Sequence, residues 1–408
     1  MAIRVAGVLG ALAVVLCLLE IVFRVLPTSD SLRTQPVDRN SPYMHFEPHR
    51  ALTLSKGKYF SIVTHKRTNN YGFLSDVDYG RSDTTKLVVI GDSYVEGFQV
   101  ANQDTLHGLL NAVDGLEVYG IGASGSPLSQ YLAYAQFAMR EFNPGALCIV
   151  VVGNDFDESL LQYNPSRGFH LFKKTGGSYQ SVLVDYEPSR LTVAMRYSAL
   201  ARYLFMNVGL QSPGQILRAG ARRDPEFVGN APRRVSQERL DESMKAVDFF
   251  LEGIRTAAAG VPVLFVLDGM RPQLYSESGL AAARGSYFDL MRSYFTTEAA
   301  GSGFEVVDLQ THFIAHHRQH GERFEFDTDA HWNERGHRVA ADAVAGTATF
   351  HGLIKRASSA NPTYRTGRGA VDVVRRSGGI TRSLGVNSGT AAQIRSMSAV
   401  ISRATDAR

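Results

Sequence analysis

The sequence predicts a three-layer α/β/α domain on a mainly parallel five-stranded sheet. Short apolar runs too brief for helices recur along the chain, longer stretches of helical periodicity separate them, and no long antiparallel run intervenes.

The first run, Leu87 to Ile90, reads as a strand buried on both faces and ends abruptly in Gly91-Asp92-Ser93. Tyr94 to Ala112 reads as the following helix. Leu116 to Ile121 is the second strand, ending in the small residues Gly122-Ala123-Ser124-Gly125-Ser126-Pro127, which allow backbone N–H groups to approach a bound atom closely. Leu128 to Phe142 is the next helix, and Leu147 to Val152 a third strand that stops at Gly153-Asn154-Asp155. Helices at Ser236 to Ala259 and Gly279 to Ala299 precede the last two strands, Val261 to Leu267 and Phe304 to Leu309. Glu334 to Ala345 follows as a helix with Asn333 as its N-cap.

An insertion spanning 156–235 separates the third and fourth strands. Within it, Phe169 to Lys174 and Tyr179 to Val184 flank Thr175-Gly176-Gly177 as a hairpin, and Ser189 to Val208 carries the pattern of an amphipathic helix. Insertions of this length usually shape binding surfaces or act as lids, and a substrate-shaping lid and a merely decorative insertion are both open here.

The flanks differ in kind. Val5 to Leu26 is apolar over about the length that crosses a bilayer, interrupted by Glu20 and Arg24, which lie four apart on one helical face. No small-x-small cleavage pattern follows, so residues 1–27 read as an uncleaved single-pass anchor. Residues 28–84 read as a stalk and extension: Pro27 to Pro48 is rich in Pro, Ser and charge, Tyr59 to Thr64 suggests an extra strand, and Arg67 to Phe73 carries turn residues. The catalytic-type domain then covers 85–354, and 355–408 reads as a basic, disordered tail.

Charge and cysteine narrow the class further. From Arg356 to Arg408 nine arginines stand against Asp372 and Asp406, so the net +4 belongs to the tail and the folded part is net acidic, which argues against nucleic acid as a partner. Cys17 and Cys148 fit neither a disulfide nor a metal site. His312 and His316 have metal-face spacing but lack an acidic or Cys partner, so a solvated helix is the better reading and no metal or other cofactor is expected.

The chemistry-bearing residues sit at the C-terminal ends of these strands, where open α/β sheets bind ligands. Ser93 is the candidate nucleophile. His331, in Asp327-Thr328-Asp329-Ala330-His331-Trp332, stands at the mouth of the last helix, where it can take the serine proton while a carboxylate holds its other ring nitrogen. Trp332 is read as packing for the His331 loop and His337 as a helix-surface residue nearby.

Gly91-Asp92-Ser93, Gly125, Gly153-Asn154-Asp155 and His331, in that order from about Lys86 to Phe350, resemble the four blocks of the SGNH (GDSL-type) esterases and acyl-transferring enzymes. The resemblance implies a flavodoxin-like SGNH fold, with Ser93 as nucleophile and His331 as base. It also implies an oxyanion hole formed by the backbone N–H groups of Ser93 and Gly125 with the Asn154 side chain. The usual Asp-x-x-His block is altered, since Thr328 stands three before His331. Asp329 is taken as the triad acid because Asp-x-His-Trp looks like the variant of membrane-associated and polysaccharide-acetylating members; Asp327 is its alternative, and Gly122 is the alternative to Gly125.

The expected function is removal of a small acyl group from an envelope glycan or lipid through a Ser93 acyl-enzyme, by a membrane-anchored protein whose catalytic domain is extracytoplasmic. Transfer of the acyl group to a polysaccharide hydroxyl is the alternative within the class. A non-catalytic glycan-binding or scaffold module is the alternative from another class.

Overall fold

A computed structural model describes residues 2–164, 166–210 and 226–360. The chain begins with α1 (Ala2–Val25), then a hairpin of β1 (Ala51–Lys56) and β2 (Ile62–Arg67) paired antiparallel. The central strands follow: β3 (Thr85–Gly91), β4 (Leu116–Gly122) and β5 (Ala146–Val151). Two short antiparallel pairings come next, β6 (His170–Thr175) with β7 (Ser178–Leu183) and β8 (Phe227–Val228) with β9 (Ala231–Pro232). The sheet resumes with β10 (Val263–Leu267) and β11 (Glu305–Asp308), after which β12 (Glu325–Phe326) pairs antiparallel with β13 (Asp329–Trp332).

The central sheet has the order β11-β10-β5-β3-β4, and each neighbouring pair is parallel. The two-residue period of a strand sends Val88 and Ile90 to one core with Leu147, Ile149 and Phe265; Leu87 and Val89 enter the other with Cys148, Val150 and Leu264. The first face is covered by the helices Leu128–Phe142, Gln237–Ala258 and Tyr287–Gly301, the second by Leu309–His320, Glu334–Ala345 and Ala348–Ala360. All five strands therefore point their C-terminal ends toward one rim.

Several boundaries differ from expectation. The single helix expected from Tyr94 to Ala112 is two short ones, α2 (Ser93–Glu96) and α3 (Leu106–Leu110), because Gly97 closes α2 with φ 54° and the buried Lys66 ammonium holds the Gly97 carbonyl at 2.7 Å and Asn102 Oδ1 at 2.9 Å. Gly279 to Ala299 breaks into Glu277–Ala283 and Tyr287–Gly301, with Gly285 at φ 70° and Ser286 capping the second. Ser189 to Val208 breaks into Arg190–Met195, Ala199–Arg202 and a π-turn at Tyr203–Asn207, since Ser198 is extended and caps the middle piece. The expected extra strand lies at Ile62–Arg67 instead of Tyr59 to Thr64, and its partner β1 was not anticipated.

The expected stalk is packed against the domain. Val37, Met44 and Phe46 are buried, backbone bridges join Thr34 to Phe46 and Val37 to Tyr186, and Tyr134 donates to the Met44 carbonyl at 2.8 Å. Burial of these three apolar side chains and the ion pair Arg202–Asp30 hold it against the domain, and the ion pair Arg33–Glu47 braces it internally. At the other end the last described helix continues to Ala360, beyond the expected domain boundary at 354; the expected disorder from 361 onward, and residues 211–225 of the insertion, lie outside the described residues. The N-terminal helix Ile3–Val25 is long and apolar enough to cross a membrane by length and composition, and Arg24 reaches Glu20 at 2.9 Å.

Candidate active site

Ser93 is the first residue of α2, directly after β3. Asp92 caps this turn, its carboxylate accepting from Tyr94 N at 2.9 Å. The turn needs Gly122 beside it: a Cβ at that position would stand 2.6 Å from Glu96 N and 2.7 Å from Asp92 O, both backbone atoms. Gly122 is thus a packing glycine. Gly125 plays a different part. It follows Ser124 in a turn closed by Ser126 N donating to Ala123 O at 3.1 Å, and its φ of 81° is the positive value that the third position of a type II turn demands. Glu96 fixes this turn to the Ser93 helix, its carboxylate accepting from Ser124 N at 2.7 Å and Ser124 Oγ at 3.0 Å.

His331 comes from β13, 238 residues away in the chain, and its Nε2 lies 2.7 Å from Ser93 Oγ. Its Nδ1 lies 2.5 Å from Asp329 Oδ1, which also accepts from the His331 backbone N–H at 2.8 Å. An ionised carboxylate only accepts, so Nδ1 carries the imidazole hydrogen and Nε2 is left bare toward the serine. The Ser93 hydroxyl has a second acceptor in Asp92 Oδ2 at 3.2 Å, but its one hydrogen serves the shorter contact to His331. The structure thereby brings Ser93, His331 and Asp329 together. Asp327 is exposed on the preceding turn, outside this arrangement.

Asp329 is buried, and burial pushes its carboxyl up; the hydrogen bond and charge of His331 and the ion pair with Lys56 outweigh this and hold it well below the usual carboxylate range. Nearby acids go the other way. Burial raises Glu96 to about 7 against the Ser124 hydrogen bonds, and raises Glu158 to about 7 against its hydrogen bond from Asn154.

Asn154 follows β5 at the same rim. Its Nδ2 donates to Glu158 Oε2 at 2.8 Å and its Oδ1 accepts from Asn230, so one Nδ2 hydrogen is committed and a second remains. Asp155 supports the turn from below, accepting from Val152 N at 2.7 Å and Tyr131 OH at 3.0 Å. Among the contacts described, neither Asn154 nor Gly125 bonds to Ser93 itself.

Several residues the sequence reading missed hold the His331 strand. Arg271 forks onto Asp268, with Nη2 to Oδ2 at 2.6 Å and Nε to Oδ1 at 3.2 Å, and also donates to the Ala330 carbonyl at 2.9 Å and Tyr94 OH at 3.0 Å. Trp332, fully buried, donates from Nε1 to Asp268 Oδ1 at 2.9 Å, so it packs the His331 segment as expected. His337 is not the surface residue the sequence suggested. It is buried, its Nδ1 accepts from Leu106 N at 3.1 Å, and burial, aided by His107 and Lys66, holds its pKa well below the usual imidazole range. A buried pair such as Asp268 and Arg271 leaves no periodic trace in a sequence, so only the aromatic after His331 hinted at it.

On the helix Leu309–His320, His316 does have the acidic partner the sequence did not suggest, Glu322 Oε2 at 3.0 Å, but among the described residues no group of three or more His, Cys, Asp or Glu side chains could hold a metal.

A family model for the SGNH hydrolase-like domain of acetyltransferase AlgX matches residues 234–406. That range includes Asp329 and His331 and begins after Ser93, Gly125 and Asn154. No curated protein matches the sequence. Among solved structures the chain is similar to a lipolytic G-D-S-L family protein from Veillonella parvula, at 12% identity over 65% of this chain and 98% of that one with a TM-score of 0.33. It is similar also to a catalytic mutant of an acetylxylan esterase from Geobacillus stearothermophilus, at 14% identity over 67% and 98% with a TM-score of 0.34. A third is the inhibitor-bound aryl esterase of M. smegmatis, at 10% identity over 64% and 96% with a TM-score of 0.33.

Proposed function

We propose, from the match of residues 234–406 to an SGNH hydrolase-like domain, that the chain is an ester-acting enzyme that moves an acyl group through a covalent intermediate on Ser93. The observation that carries this reading is the chain of contacts from Ser93 Oγ to His331 Nε2 at 2.7 Å and from His331 Nδ1 to Asp329 at 2.5 Å.

In the first step Ser93 Oγ attacks the ester carbonyl while its proton passes to His331 Nε2. Asp329, ionised and buried, stabilises the imidazolium that forms. The oxyanion is held by the backbone N–H groups of Ser93 and Gly125 and by the remaining N–H of Asn154; one such donor typically contributes about 3 kcal/mol to the transition state. The carbon–oxygen bond to the alcohol then breaks, and the departing oxygen takes the proton from His331. In the second step water or a sugar hydroxyl gives its proton to His331 and attacks the acyl-Ser93 carbonyl; the bond from the acyl carbon to Ser93 Oγ breaks and Oγ takes the proton back from His331.

Water as acceptor makes the protein an esterase; a glycan hydroxyl makes it an O-acyltransferase. The match to a domain described for an acetyltransferase favours keeping transfer as the second reading. The length and apolar composition of α1 support an anchor in the membrane, and the reading places the domain on the extracytoplasmic side, where acylated glycans and lipids of the envelope are the substrates within reach.

Turnover of p-nitrophenyl acetate by the wild type, lost in both Ser93→Ala and His331→Ala, is the result this reading expects. Adding an oligosaccharide acceptor separates its two forms: acyl-oligosaccharide accumulates if transfer competes with water, and only free acid appears if it does not. Turnover unchanged in Ser93→Ala overturns both.

A further inference from the structure

A cavity of about 390 Å³ lies beside the Ser93 turn, within the roughly 300–1,000 Å³ range of small-molecule sites. On the catalytic side its wall contains Glu96 and Ser124, which are bonded to each other, Lys56, which is paired with Asp329, and Phe98, whose ring centre is 6.4 Å from that of His331. The rest of the lining mixes the carbon of Leu32, Met44, Phe46, Leu54 and Ala123 with the hydroxyl-bearing Thr34 and Tyr186 and three serines. Its charged side chains are already engaged within the protein: Arg33 with Glu47 at 2.9 Å, Asp30 with Arg202 at 2.6 Å, and Arg196 with the Thr34 carbonyl at 3.2 Å. Two serines of the wall are bonded within the protein as well, Ser55 Oγ donating to the Pro27 carbonyl at 2.6 Å and Ser31 Oγ accepting from Arg33 N at 3.3 Å. Such a chamber suits a hydrocarbon chain better than a sugar, whose hydroxyls would each need a partner.

The opposite wall comes from the insertion, through Thr192, Arg196 and the exposed Met206. This part of the insertion is joined to the end of α1. Glu20 accepts from Ser198 Oγ at 2.8 Å and Ala199 N at 2.9 Å, Arg24 donates to the Tyr197 carbonyl at 3.0 Å, and Phe23 stacks on Tyr203 at 3.9 Å. The same segment exposes large apolar side chains, Leu191 at 71% and Tyr197 at 66%, with Phe205, Val208 and Leu210 also exposed. Exposed apolar side chains continuous with a membrane-length helix gain burial among acyl chains when they rest at the bilayer surface.

We propose that the insertion from Arg190 to Leu210 rests in the lipid surface, and that the substrate is an acyl ester drawn from the bilayer whose chain occupies this cavity while its carbonyl meets Ser93. The proposal rests on the Ser93 acyl-enzyme and lengthens the acyl group that the enzyme carries. The covalent step is unchanged: the Ser93 Oγ–carbon bond forms, the ester carbon–oxygen bond breaks, and the alcohol leaves with the serine proton.

The test uses the full chain in lipid nanodiscs with p-nitrophenyl acetate and p-nitrophenyl octanoate. Each methylene buried in the cavity raises kcat/KM by up to about fourfold, so the octanoate-to-acetate ratio in the wild type is well above one. Leu32→Trp within the cavity and Thr192→Trp on its insertion side each fill the chamber and lower that ratio at least tenfold. Partitioning of the longer ester into lipid is common to all three proteins, and the acetate rate in the same sample reports folding. A ratio unchanged in both variants overturns the proposal. Turnover that persists in Ser93→Ala instead overturns the acyl-enzyme reading, so the two failures are distinguishable.

Discussion

Lys56 and Asp329 form an ion pair that ties the N-terminal hairpin to the base side of the site, across 273 residues of chain. Asp329 thus has one oxygen on His331 and the other on Lys56, and its carboxylate cannot rotate without breaking a charged contact. The ammonium is partly exposed while the carboxylate side chain is fully buried, so its value lies more in orientation than in net stability.

Replacing Lys56 by Met frees one carboxylate oxygen and loosens the imidazole. The expected result is a fall in kcat of about tenfold, equivalent to about 1.4 kcal/mol, with KM little changed and partial recovery in Lys56→Arg. Steady-state kinetics on an acetyl ester, with a thermal melt as the folding control, reads this directly. Equal kcat in Lys56→Met would remove the positioning role.

Glu96 gives a pH signature. Its folded pKa of about 7 is raised above the ordinary value of 4.5, so it contributes stability that is fully present below pH 4.5 and is lost as pH rises through 7, on the order of 3 kcal/mol in all. Glu158, raised likewise to about 7, adds to the same slope. Melting temperature should therefore fall between pH 5 and pH 8 in the wild type and fall less in Glu96→Gln. Identical pH dependence in the two proteins would contradict the burial of an ionisable carboxyl at this position.

The two glycines after β4 separate by mechanism. Gly122→Ala drives a Cβ into the backbone of the Ser93 turn and is expected to cost about 1–3 kcal/mol together with most of the activity. Gly125→Ala meets only Phe169 Cζ at 3.8 Å, and its cost is the left-handed backbone alone, about 1–2 kcal/mol. Paired chemical denaturation and ester turnover distinguish them, and an inert Gly122→Ala would show that the turn has room.

Arg271 is the buried brace of the His331 strand. Arg271→Met leaves the buried Asp268 carboxylate without its counter-charge and the Ala330 carbonyl without this donor, with an expected loss of about 3–5 kcal/mol. Trp332→Phe removes one hydrogen bond to the same carboxylate and some volume, so it should cost less than Arg271→Met in the same denaturation series. The reverse order would place the support in packing instead of charge.

What the chain discloses before folding follows from the range of the forces involved. The strand before Ser93 is written locally, as apolar residues ending in Gly91-Asp92-Ser93, and the helix Leu128–Phe142 has the bounds its periodicity predicts. Ser93, Asp329 and His331 were visible as residue types at strand ends and helix mouths. The Lys56 contact, the burial of His337 and the docking of Val37 and Phe46 depend on partners tens to hundreds of residues away, which no local pattern encodes. The broken helices failed for the opposite reason: caps at Ser198 and Ser286 and the turn at Gly97 are local signals, but the apolar period running through them was read as continuous.

In the proposed mechanism Ser93 is a nucleophile activated by His331. Labelling with a fluorophosphonate, followed by peptide mass mapping, addresses it at the reacting atom. The expected outcome is one label per chain on Ser93 in the wild type, none in Ser93→Ala, and a rate slowed by orders of magnitude in His331→Ala; labelling of wild type and Ser93→Ala at equal rates would contradict it.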